Sequence, residues 1–595
     1  MNKKAHGQIR QGQVITTWGP GALIDLPQDA AIIGGLDTWP KTSELSEIIE
    51  PRLVSKLESL TKVNGAKLFA PPSDPQDPRE SPRGIGAWRF PEWFVVQMDD
   101  KDEDRVRSRR LVHRKALDER GRFDGHNVVP TRFVRACPTG HVDDLDWRFF
   151  VHGSGDACRR QLWLDERGTS GDLAELVVRC ECGKQRNLYE AAQVENNALG
   201  TCRGARPWLG RNAHEDCNLP SRLLVRTASN AYFPQVLSVL SIPDERRKID
   251  IAVDLHWDDL QIVDTVDALN FMKRKPQVAK DLARHSDKDV LDAIQRRKSS
   301  SDEDMPVKQV EIEALLAAPE GYGDDVPIDP NFHARRLPDT TWRFSPISDG
   351  LHSVVQVHRL REVLALAGFT RFEAITPDIH GDYETDVVRA ELALEPSWFP
   401  AVENRGEGIF LHFRADAIEA WLNRDAVKAR LSTLADGHDR WAKGRKTSRP
   451  FPGGPYVFLH SLSHLLIQSI SLRCGYPASS LRERIFVEPQ GCGILLYTAS
   501  SDAAGTLGGL VQEARNIESH LRQALHYSSL CSNDPICAQH APGESLEGRL
   551  LHGAACHGCC LIAETSCEMR NDYLDRSLIV DTLSESGASF FGAVT

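Results

Sequence analysis

Residues 530–568, LCSNDPICAQHAPGESLEGRLLHGAACHGCCLIAETSCE, contain six of the 14 cysteines of this 595-residue chain. Six more lie from Cys137 to Cys217, while residues 1–136 and 218–473 contain none. The basic N-terminus has no apolar run behind it, so we expect no signal peptide and a cytoplasmic protein. Because the cytosol keeps thiols reduced, these two clusters indicate metal sites rather than disulfides.

The C-terminal cluster has the ligand pattern of a zinc site. Cys531 and Cys537 form one local pair, and Cys556 and Cys559 form a CxxC pair. Tetrahedral zinc takes four such ligands, commonly as two short-range pairs. The sequence therefore predicts one Zn²⁺ on these four cysteines. Residues left open as replacement ligands are Cys567, His540 and His557.

The first cluster predicts a zinc-ribbon-like region. The segment VVRCECGKQRNL (177–188) is typical of a strand, a tight turn and a return strand, with Cys180 and Cys182 at the turn. We expect Cys202 and Cys217 to complete this zinc site. Residues with the right chemistry for a second ion are Cys137, His141, His152 and Cys158, the alternative being a folded loop with free thiols.

A long apolar segment, PYVFLHSLSHLLIQSISL (455–472), places His460 and His464 on one face of a predicted helix. The glutamate of an HExxH motif is absent, because position 461 is Ser. The segment is apolar almost all round, which favours a buried core helix. The alternative is a metal-dependent nuclease or hydrolase, for which Glu483 and Glu488 are scattered acidic candidates.

No nucleotide site is predicted. The chain contains neither GxxxxGK[ST] nor a strand-turn-helix dinucleotide signature. The loop GTLGGL (505–510), with Gly505, Gly508 and Gly509, is therefore interpreted as a turn rather than a phosphate cradle. These features predict a protein that is not itself an enzyme.

Basic residues are concentrated in two stretches, although the net charge is −12, which argues against a globally basic nucleic-acid coat. The first lies within residues 101–135 and includes Arg105, Arg107, Arg109, Arg110, Arg114 and Lys115. The second contains Arg440, Trp441, Lys443, Arg445, Lys446 and Arg449. Basic side chains bind phosphates and an aromatic ring stacks on a base, so the second stretch is our candidate DNA contact; a solvated loop is the alternative.

The element pattern predicts a multidomain α+β chain with two cysteine-rich zinc-binding modules and no membrane span. Short strands are expected within residues 13–40, a buried strand at 93–98 and a helix at 359–368. The predicted domains are a β-rich region with a Pro-rich loop (1–135), a zinc-ribbon-like region (136–235), a helical region with a flexible joint (236–335), an α/β domain (336–450) and a C-terminal zinc domain (451–595).

Several motifs resemble those of the DrmB family of the DISARM anti-phage system. They are GQIRQGQVITTWGPGALIDLP (7–27), GGLDTW (34–39), RFVRACPTGHVDDLDW (132–147), CRGARPWL (202–209), HSLSHLLIQSISLRCGYPASSLRERI (460–485), GILLYTAS (493–500), GTLGGL (505–510) and GAACHGC (553–559). The resemblance spans nearly the whole chain, with less signal between residues 240 and 450.

This resemblance implies a partner, a ligand and a cofactor. The partner is the helicase-like ATPase DrmA, and the pair forms a complex that binds DNA, single-stranded or tailed, and distinguishes invading DNA from methylated host DNA. A similar C-terminal module ends a group of bacterial DNA-repair helicases, where it holds a four-cysteine zinc site. The resemblance thus supports Cys531, Cys537, Cys556 and Cys559 as ligands of Zn²⁺ in a helicase-associated domain.

Overall fold

The computed structural model describes most of the chain. The described residues are 8–26, 29–73, 84–97, 100–101, 107–154, 158–168, 170–243, 245–298, 305–323, 325–384, 388–498, 509–543, 549–584 and 586–592. Most of the predicted Pro-rich loop, residues 299–304 of the predicted joint and all of the GTLGGL turn before Gly509 lie outside these ranges. None of the described helices has the length and hydropathy that a membrane crossing requires.

The chain folds as two compact units. Unit 1 consists of Met1–Val239, Val363–Pro377 and Asp382–Glu403, and unit 2 of Leu240–Glu362, Asp378–Gly381 and Asn404–Thr595. Both units contain helices and sheets, so the predicted mixed α+β class is confirmed. The five predicted domains are a finer division and stay a prediction.

Unit 1 is mainly antiparallel β-structure. Its strands are β1 Leu23–Leu26, β2 Asp29–Ile33, β3 Glu47–Ile48, β4 Lys67–Phe69, β5 Ala87–Arg89, β6 Trp93–Val96, β7 Asp100–Lys101, β8 Arg107–His113, β9 Val128–Pro130, β10 Phe133–Ala136, β11 Val142–Asp143, β12 Leu162–Glu166, β13 Leu176–Cys180, β14 Gln185–Asn187, β15 Arg222–Val225 and β16 Phe233–Leu240. Its helices are α1 Gln11–Thr16, α2 Pro51–Thr61, α3 Trp147–His152 and α4 Tyr189–Ala192.

Two of the three sheets within unit 1 carry cysteines at or just after the ends of their strands. The largest has the order β14-β13-β12-β8-β6-β9, with β7 paired to β8. The other two have the orders β11-β10-β15 and β1-β2-β5. Trp147, Phe150 and Val178 pack in a core between α3 and the largest sheet. The loops at the ends of β10 and β13 therefore extend from a rigid scaffold, which is where ligands need to be held.

Unit 2 combines long strands with most of the helices. Its strands are β17 Phe332–Arg336, β18 Leu351–Thr370, β19 Trp398–Phe413, β20 Leu481–Glu488 and β21 Gly491–Thr498; β18 and β19 also contribute to unit 1. Its helices are α5 Glu245–Leu255, α6 Trp257–Leu260, α7 Val266–Met272, α8 Pro276–Leu282, α9 Asp287–Lys298, α10 Val307–Leu316, α11 Ala415–Leu422, α12 Asp425–Arg445, α13 Gly454–Cys474, α14 Gly509–Glu513, α15 Ile517–Ser528 and α16 Ile536–Gln539.

Helix α13 is the centre of unit 2. Pro455 lies in its first turn, where a missing N–H costs nothing, and Gly475 ends it in the left-handed conformation. Almost every residue from Gly454 to Ile470 is buried, because the helix packs against β20, β21 and α15. The predicted core helix is therefore confirmed, and its two histidines lie inside the core.

Two predicted elements are wrong. Residues 359–368, predicted as a helix, belong to strand β18, where both faces are buried and the period-2 pattern disappears. Within the predicted short strands, residues 11–16 form helix α1, because Val14 and Ile15 are buried on one turn and tertiary packing outweighs their β-branched preference. The strand predicted at 93–98 is confirmed as β6.

Candidate metal centres

Four groups of side chains in the described part of the chain bring ligand atoms within 4.8 Å of one another. We name them the four-cysteine centre (Cys531, Cys537, Cys556, Cys559), the Cys137 centre (Cys137, His141, Cys202, Cys217), the Cys180 centre (His152, Cys158, Cys180, Cys182) and the buried mixed centre (His460, His464, Glu483, Cys567). All 14 cysteines are unbridged thiols, as the sequence predicted for a reduced chain.

The four-cysteine centre has tetrahedral spacing. The Sγ atoms of Cys531 and Cys556 are 3.4 Å apart, those of Cys537 and Cys559 3.7 Å, and those of Cys556 and Cys559 3.8 Å. A tetrahedron with Zn–S bonds of about 2.3 Å has edges of about 3.8 Å. The two sequence-local pairs are thus brought together at the separation that zinc requires.

Backbone geometry prepares the sulfurs of this centre for a cation. The N–H groups of Gly558 and Cys556 donate to the Sγ atoms of Cys556 and Cys559, each at 3.3 Å. A Cβ at position 558 would lie 2.8 Å from Ser532 Oγ and 3.3 Å from Cys531 Sγ, so a larger residue would displace these side chains. Burial raises the pKa of Cys556, but hydrogen bonds that include one from Asn533 lower it to about 7, which favours a thiolate.

The buried Arg576 guanidinium balances the negative charge of four thiolates. It donates to the backbone oxygen of Ser528 at 2.6 Å and to the carboxylate of Asp534. Burial alone would lower the pKa of Arg576, but Asp534, Cys559 and Cys537 raise it, so this arginine stays charged. Zinc on four thiolates leaves two negative charges, and a nearby cation lowers the cost of burying them.

In the Cys137 centre, the ring of His141 is oriented by contacts on the side away from the ligand group. Cys137 and His141 flank a turn after β10, and His141 Nδ1 lies 3.2 Å from Cys137 Sγ. His141 Nε2 donates to the carboxylate of Glu215 at 2.5 Å, and Arg206 pairs with the same carboxylate at 2.9 Å. A carboxylate that holds the far nitrogen fixes the ring and directs Nδ1 to the metal.

The turn of the Cys137 centre depends on Gly140. Its φ is +99°, and a Cβ there would lie 2.5 Å from the Cβ of Ala390. The hydrogen bond from Cys202 lowers the pKa of Cys137 to about 3, with His141 and Thr139 adding to the effect. Cys137 is therefore the thiol in this group that is most readily ionised for a metal.

The Cys180 centre lies on the hairpin that the sequence predicted. Strands β13 and β14 pair antiparallel, and Cys180 and Cys182 lie at their turn. Cys158 Sγ is 3.7 Å from Cys180 Sγ, and His152 Nε2 is 3.4 Å from Cys182 Sγ. The other nitrogen of His152 faces the Arg148 carbonyl oxygen at 3.0 Å, which again orients the ring.

The structure pairs these eight residues differently from the sequence prediction. The sequence prediction groups Cys180 and Cys182 with Cys202 and Cys217, but in the structure they meet His152, the last residue of α3, and Cys158, which follows that helix. Cys202 and Cys217 instead meet the Cys137–His141 turn. The reason is that α3 packs beside β13, which brings its C-terminal end to the hairpin tip.

The buried mixed centre collects residues that the sequence left apart. His460 Nε2 and His464 Nε2 lie 3.0 and 3.3 Å from the same Glu483 oxygen, and Cys567 Sγ is 3.1 Å from His460 Nε2. Burial alone would raise the pKa of Glu483, but the two histidines hold it well below its usual range. Cys567, named as a replacement ligand of the four-cysteine centre, therefore belongs to this group.

Three other candidate residues lie outside the centres. His557 is exposed, and His540 Nε2 contacts the Arg549 backbone oxygen at 3.3 Å. Glu488 is paired with His380 at 3.1 Å. The groupings were not predictable from spacing, since Glu483 and Cys567 are separated by 84 positions and no local motif connects them.

The second basic stretch lies at the C-terminal end of α12 and in the residues that follow it. Lys443, Arg445 and Lys446 are exposed there, and Lys446 ends the helix in the left-handed conformation. Trp441 is half-buried with its ring centroid 5.5 Å from that of His438, so stacking on a base would compete with this packing. Arg440 donates to the Pro542 backbone oxygen at 3.1 Å, and Arg449 accepts from His438 through its own backbone oxygen at 2.8 Å.

The first basic stretch is largely engaged within unit 1. Arg109 pairs with Glu166, and Arg110 lies over the ring of Trp163 at 5.3 Å. Arg107 and Lys115 are exposed and Arg114 is half-buried, while Arg105 lies outside the described residues. This stretch therefore presents fewer uncommitted charges than its composition indicates.

The ligand types and spacings fit zinc. Thiolates and imidazoles at tetrahedral separations are the donors that Zn²⁺ prefers, whereas Mg²⁺ and Ca²⁺ prefer oxygen. Residues 462–560 match the sequence profile of the MrfA Zn-binding domain, a range that contains the whole four-cysteine centre. The predicted Zn²⁺ cofactor is confirmed by this match together with the cysteine clusters.

Two further comparisons cover most of the chain. Residues 10–233 match the profile of a domain of unknown function, DUF8724. Over 475 residues the chain is 33% identical to a curated protein of Bacillus paralicheniformis named DISARM protein DrmB, covering 78% of this chain and 82% of that one. The similarity thus extends well beyond the zinc-binding domain.

Proposed function

Because the chain belongs to the DISARM protein DrmB family, we propose that it is a non-catalytic, zinc-stabilised subunit of an anti-phage defence complex. The family relationship across most of the chain is the observation that carries this proposal. The zinc centres add physical support, since structural zinc holds together loops that lack a large core of their own.

The proposed partner is the helicase-like ATPase DrmA. The sequence contains no GxxxxGK[ST] motif, so an ATP-driven step in the complex must come from another chain. A subunit that lacks an ATPase motif and assembles with an ATPase can hold the DNA and position the ATPase on it. We assign both tasks to this protein.

The non-catalytic role is supported by the ligand sets of the metal centres. Each of the four described groups offers four protein ligands to one ion. A catalytic zinc site keeps a coordination position open for water or substrate, whereas a structural site is closed. Groups with four protein donors therefore favour structural ions.

The alternative, a metal-dependent nuclease or hydrolase at His460 and His464, gains the acidic neighbour that it needs in Glu483. It is nevertheless disfavoured. Both imidazoles and the carboxylate are fully buried, and the Cys567 thiol provides the fourth ligand atom of the group. DNA has no route to an ion held there.

The proposed DNA contact is the C-terminal end of α12. Lys443, Arg445 and Lys446 are exposed within four consecutive residues at this helix end. Some of this charge also offsets the negative end of the helix dipole, as basic residues at helix ends commonly do. Since the whole chain carries −12, we expect weak DNA binding alone and firmer binding when the ATPase supplies the other wall of the groove.

Incubation of the purified chain with labelled single-stranded and duplex DNA, in Mg²⁺ or Mn²⁺, separates the two functions. We expect intact DNA under all conditions, because no described metal centre has an open position. Cleavage that Glu483→Gln abolishes and Glu195→Gln, at an exposed glutamate, leaves unchanged would establish the hydrolase instead. Cleavage that both variants retain would point to a contaminating nuclease and is removed by further purification.

A further inference from the structure

We propose that the buried mixed centre is an additional, closed zinc site with a ligand set of two histidines, one glutamate and one cysteine. His460 and Cys567 lie outside the matched zinc-binding profile at 462–560, and none of the four residues belongs to the four-cysteine centre. The site goes beyond the proposed function, which does not require it.

The distances suit a tetrahedral ion. Positions i and i+4 of α13 place both imidazoles on one face, with ring centroids 4.6 Å apart. Glu483 of β20 and Cys567 complete the group, with donor separations of 3.0 to 3.3 Å. Zinc with bonds of about 2.0 to 2.3 Å separates its nitrogen, oxygen and sulfur ligands by roughly 3.3 to 3.8 Å, so a small outward adjustment admits the ion.

The outer contacts orient the donor atoms inward. His464 Nδ1 lies 2.8 Å from the Cys560 backbone oxygen, which only accepts, so Nδ1 carries the proton and a neutral ring has its lone pair on Nε2. That Nε2 atom faces Glu483 Oε1 at 3.3 Å, so the contact requires either a second proton on the ring or a cation between the two atoms. Ser463 Oγ holds the other carboxylate oxygen, and the Asn571 N–H donates to Cys567 Sγ at 3.1 Å.

The ring of His460 is also held through its Nε2 atom. Its Nδ1 is buried and has no hydrogen-bond partner among the described atoms. Its Nε2 is therefore the nitrogen through which the ring is anchored, and this atom faces Glu483 and Cys567. Metal coordination gives that nitrogen a strong partner and explains why a polar ring lies at the centre of an apolar helix.

The charges of the group balance those of a divalent ion. One carboxylate and one thiolate carry two negative charges, and two neutral imidazoles carry none. Zn²⁺ thus makes the site electrically neutral, which the low-dielectric core of unit 2 favours over any net charge. Thiolate and imidazole together with carboxylate are zinc ligands, whereas Ca²⁺ and Mg²⁺ sites are built from oxygen.

The site is structural because it is closed and deeply placed. The four ligands come from α13, β20 and the segment that follows the four-cysteine centre, so one ion ties three parts of unit 2 together. The His460 and His464 rings and the Glu483 carboxylate have no exposed surface. Water has no open coordination position and no path to one.

Zinc content per chain and the zinc X-ray absorption spectrum of the intact chain test this site. With all four groups filled, we expect four ions with eleven sulfur donors among sixteen ligands. Without the buried mixed centre, three ions with ten sulfur donors among twelve are expected. If the count is three, the sulfur share shows whether the buried mixed centre is the empty group, because an empty site elsewhere would leave seven or eight sulfur donors among twelve.

The isosteric variant Cys567→Ser is expected to lose one zinc ion or bind it at least tenfold more weakly in a chelator competition. Cys492→Ser removes a thiol that belongs to none of the groups and is the matched control, expected to retain four ions. If Cys567→Ser does not fold, the wild-type count and sulfur share still stand. Three ions with ten sulfur donors among twelve in the wild type, and equal contents in both variants, would overturn the proposal.

Discussion

Glu215 shows how much of a metal site lies in residues that do not touch the metal. Its carboxylate receives the far nitrogen of His141 and is itself held by Arg206. Removing such an outer contact commonly weakens metal binding by about 10 to 100-fold, because the ring loses its orientation and basicity. The same logic applies to His464 and the carbonyl of Cys560.

The variant Glu215→Gln is expected to weaken zinc binding at the Cys137 centre by about 10 to 100-fold while the protein stays folded. Glutamine keeps the size of the side chain and replaces the charged acceptor with a weaker one. Competition with a chromogenic chelator measures the change, and Glu195→Gln at an exposed position is the control. Identical zinc release from the two variants would assign Glu215 to the surface ion pair with Arg206 alone.

At the scale of single residues, the sequence identified candidate ligands, and the structure groups them differently from the sequence prediction. Each local pair, such as Cys180 with Cys182, was visible from spacing. Two such pairs combine into one site only through tertiary structure. The sequence prediction combined Cys180 and Cys182 with Cys202 and Cys217, whereas the structure places them beside His152 and Cys158. Glu483 and Glu215 have no neighbouring motif that would mark them as parts of a metal site, because a single glutamate in a sequence is usually a surface residue.

At the scale of elements, the C-terminal end of α12 is the feature with a direct functional prediction. Replacing Lys443 and Lys446 by Gln is expected to lower the salt slope of DNA binding by the complex by about one to two, equally across sequences. A salt titration on a tailed duplex measures this. The control, Lys288→Gln with Lys428→Gln, removes the same charge, and Lys428 lies about 22 Å from Lys443 along the helix.

Slopes equal to that of the wild type in both double variants would move the DNA path away from α12. Exposed basic residues of unit 1, such as Arg107 and Lys115, or the ATPase would then carry the phosphate contacts. A loss in the control as large as that in the test variant would show that net charge alone, and not this helix end, sets the affinity.

Elements with amphipathic or hairpin patterns were predictable, and fully buried ones were not. The β13–β14 hairpin and the α13 helix followed from turn residues and length. Strand β18 was misassigned in its second half because a strand that is buried on both faces has no alternation, and its Leu, Ala and Glu residues favour helices. Burial on both faces is a property of the assembled unit and is not visible in a local window.

At the scale of the whole molecule, each unit contains its own metal centres, two in unit 1 and two in unit 2. Four-ligand groups of this kind fix loops when they hold a metal ion. The α+β class was predictable from composition and pattern, whereas the two-unit division was not, because strands β18 and β19 belong to both units.

ATP turnover by the highly purified chain, alone and mixed with the helicase-like ATPase of its own system on tailed DNA, tests the central claim most directly. We predict background turnover from the chain alone, because its sequence has no motif that cradles a triphosphate with Mg²⁺, and DNA-dependent turnover once the ATPase is present. Turnover by the isolated chain that survives removal of contaminating helicases would contradict the account.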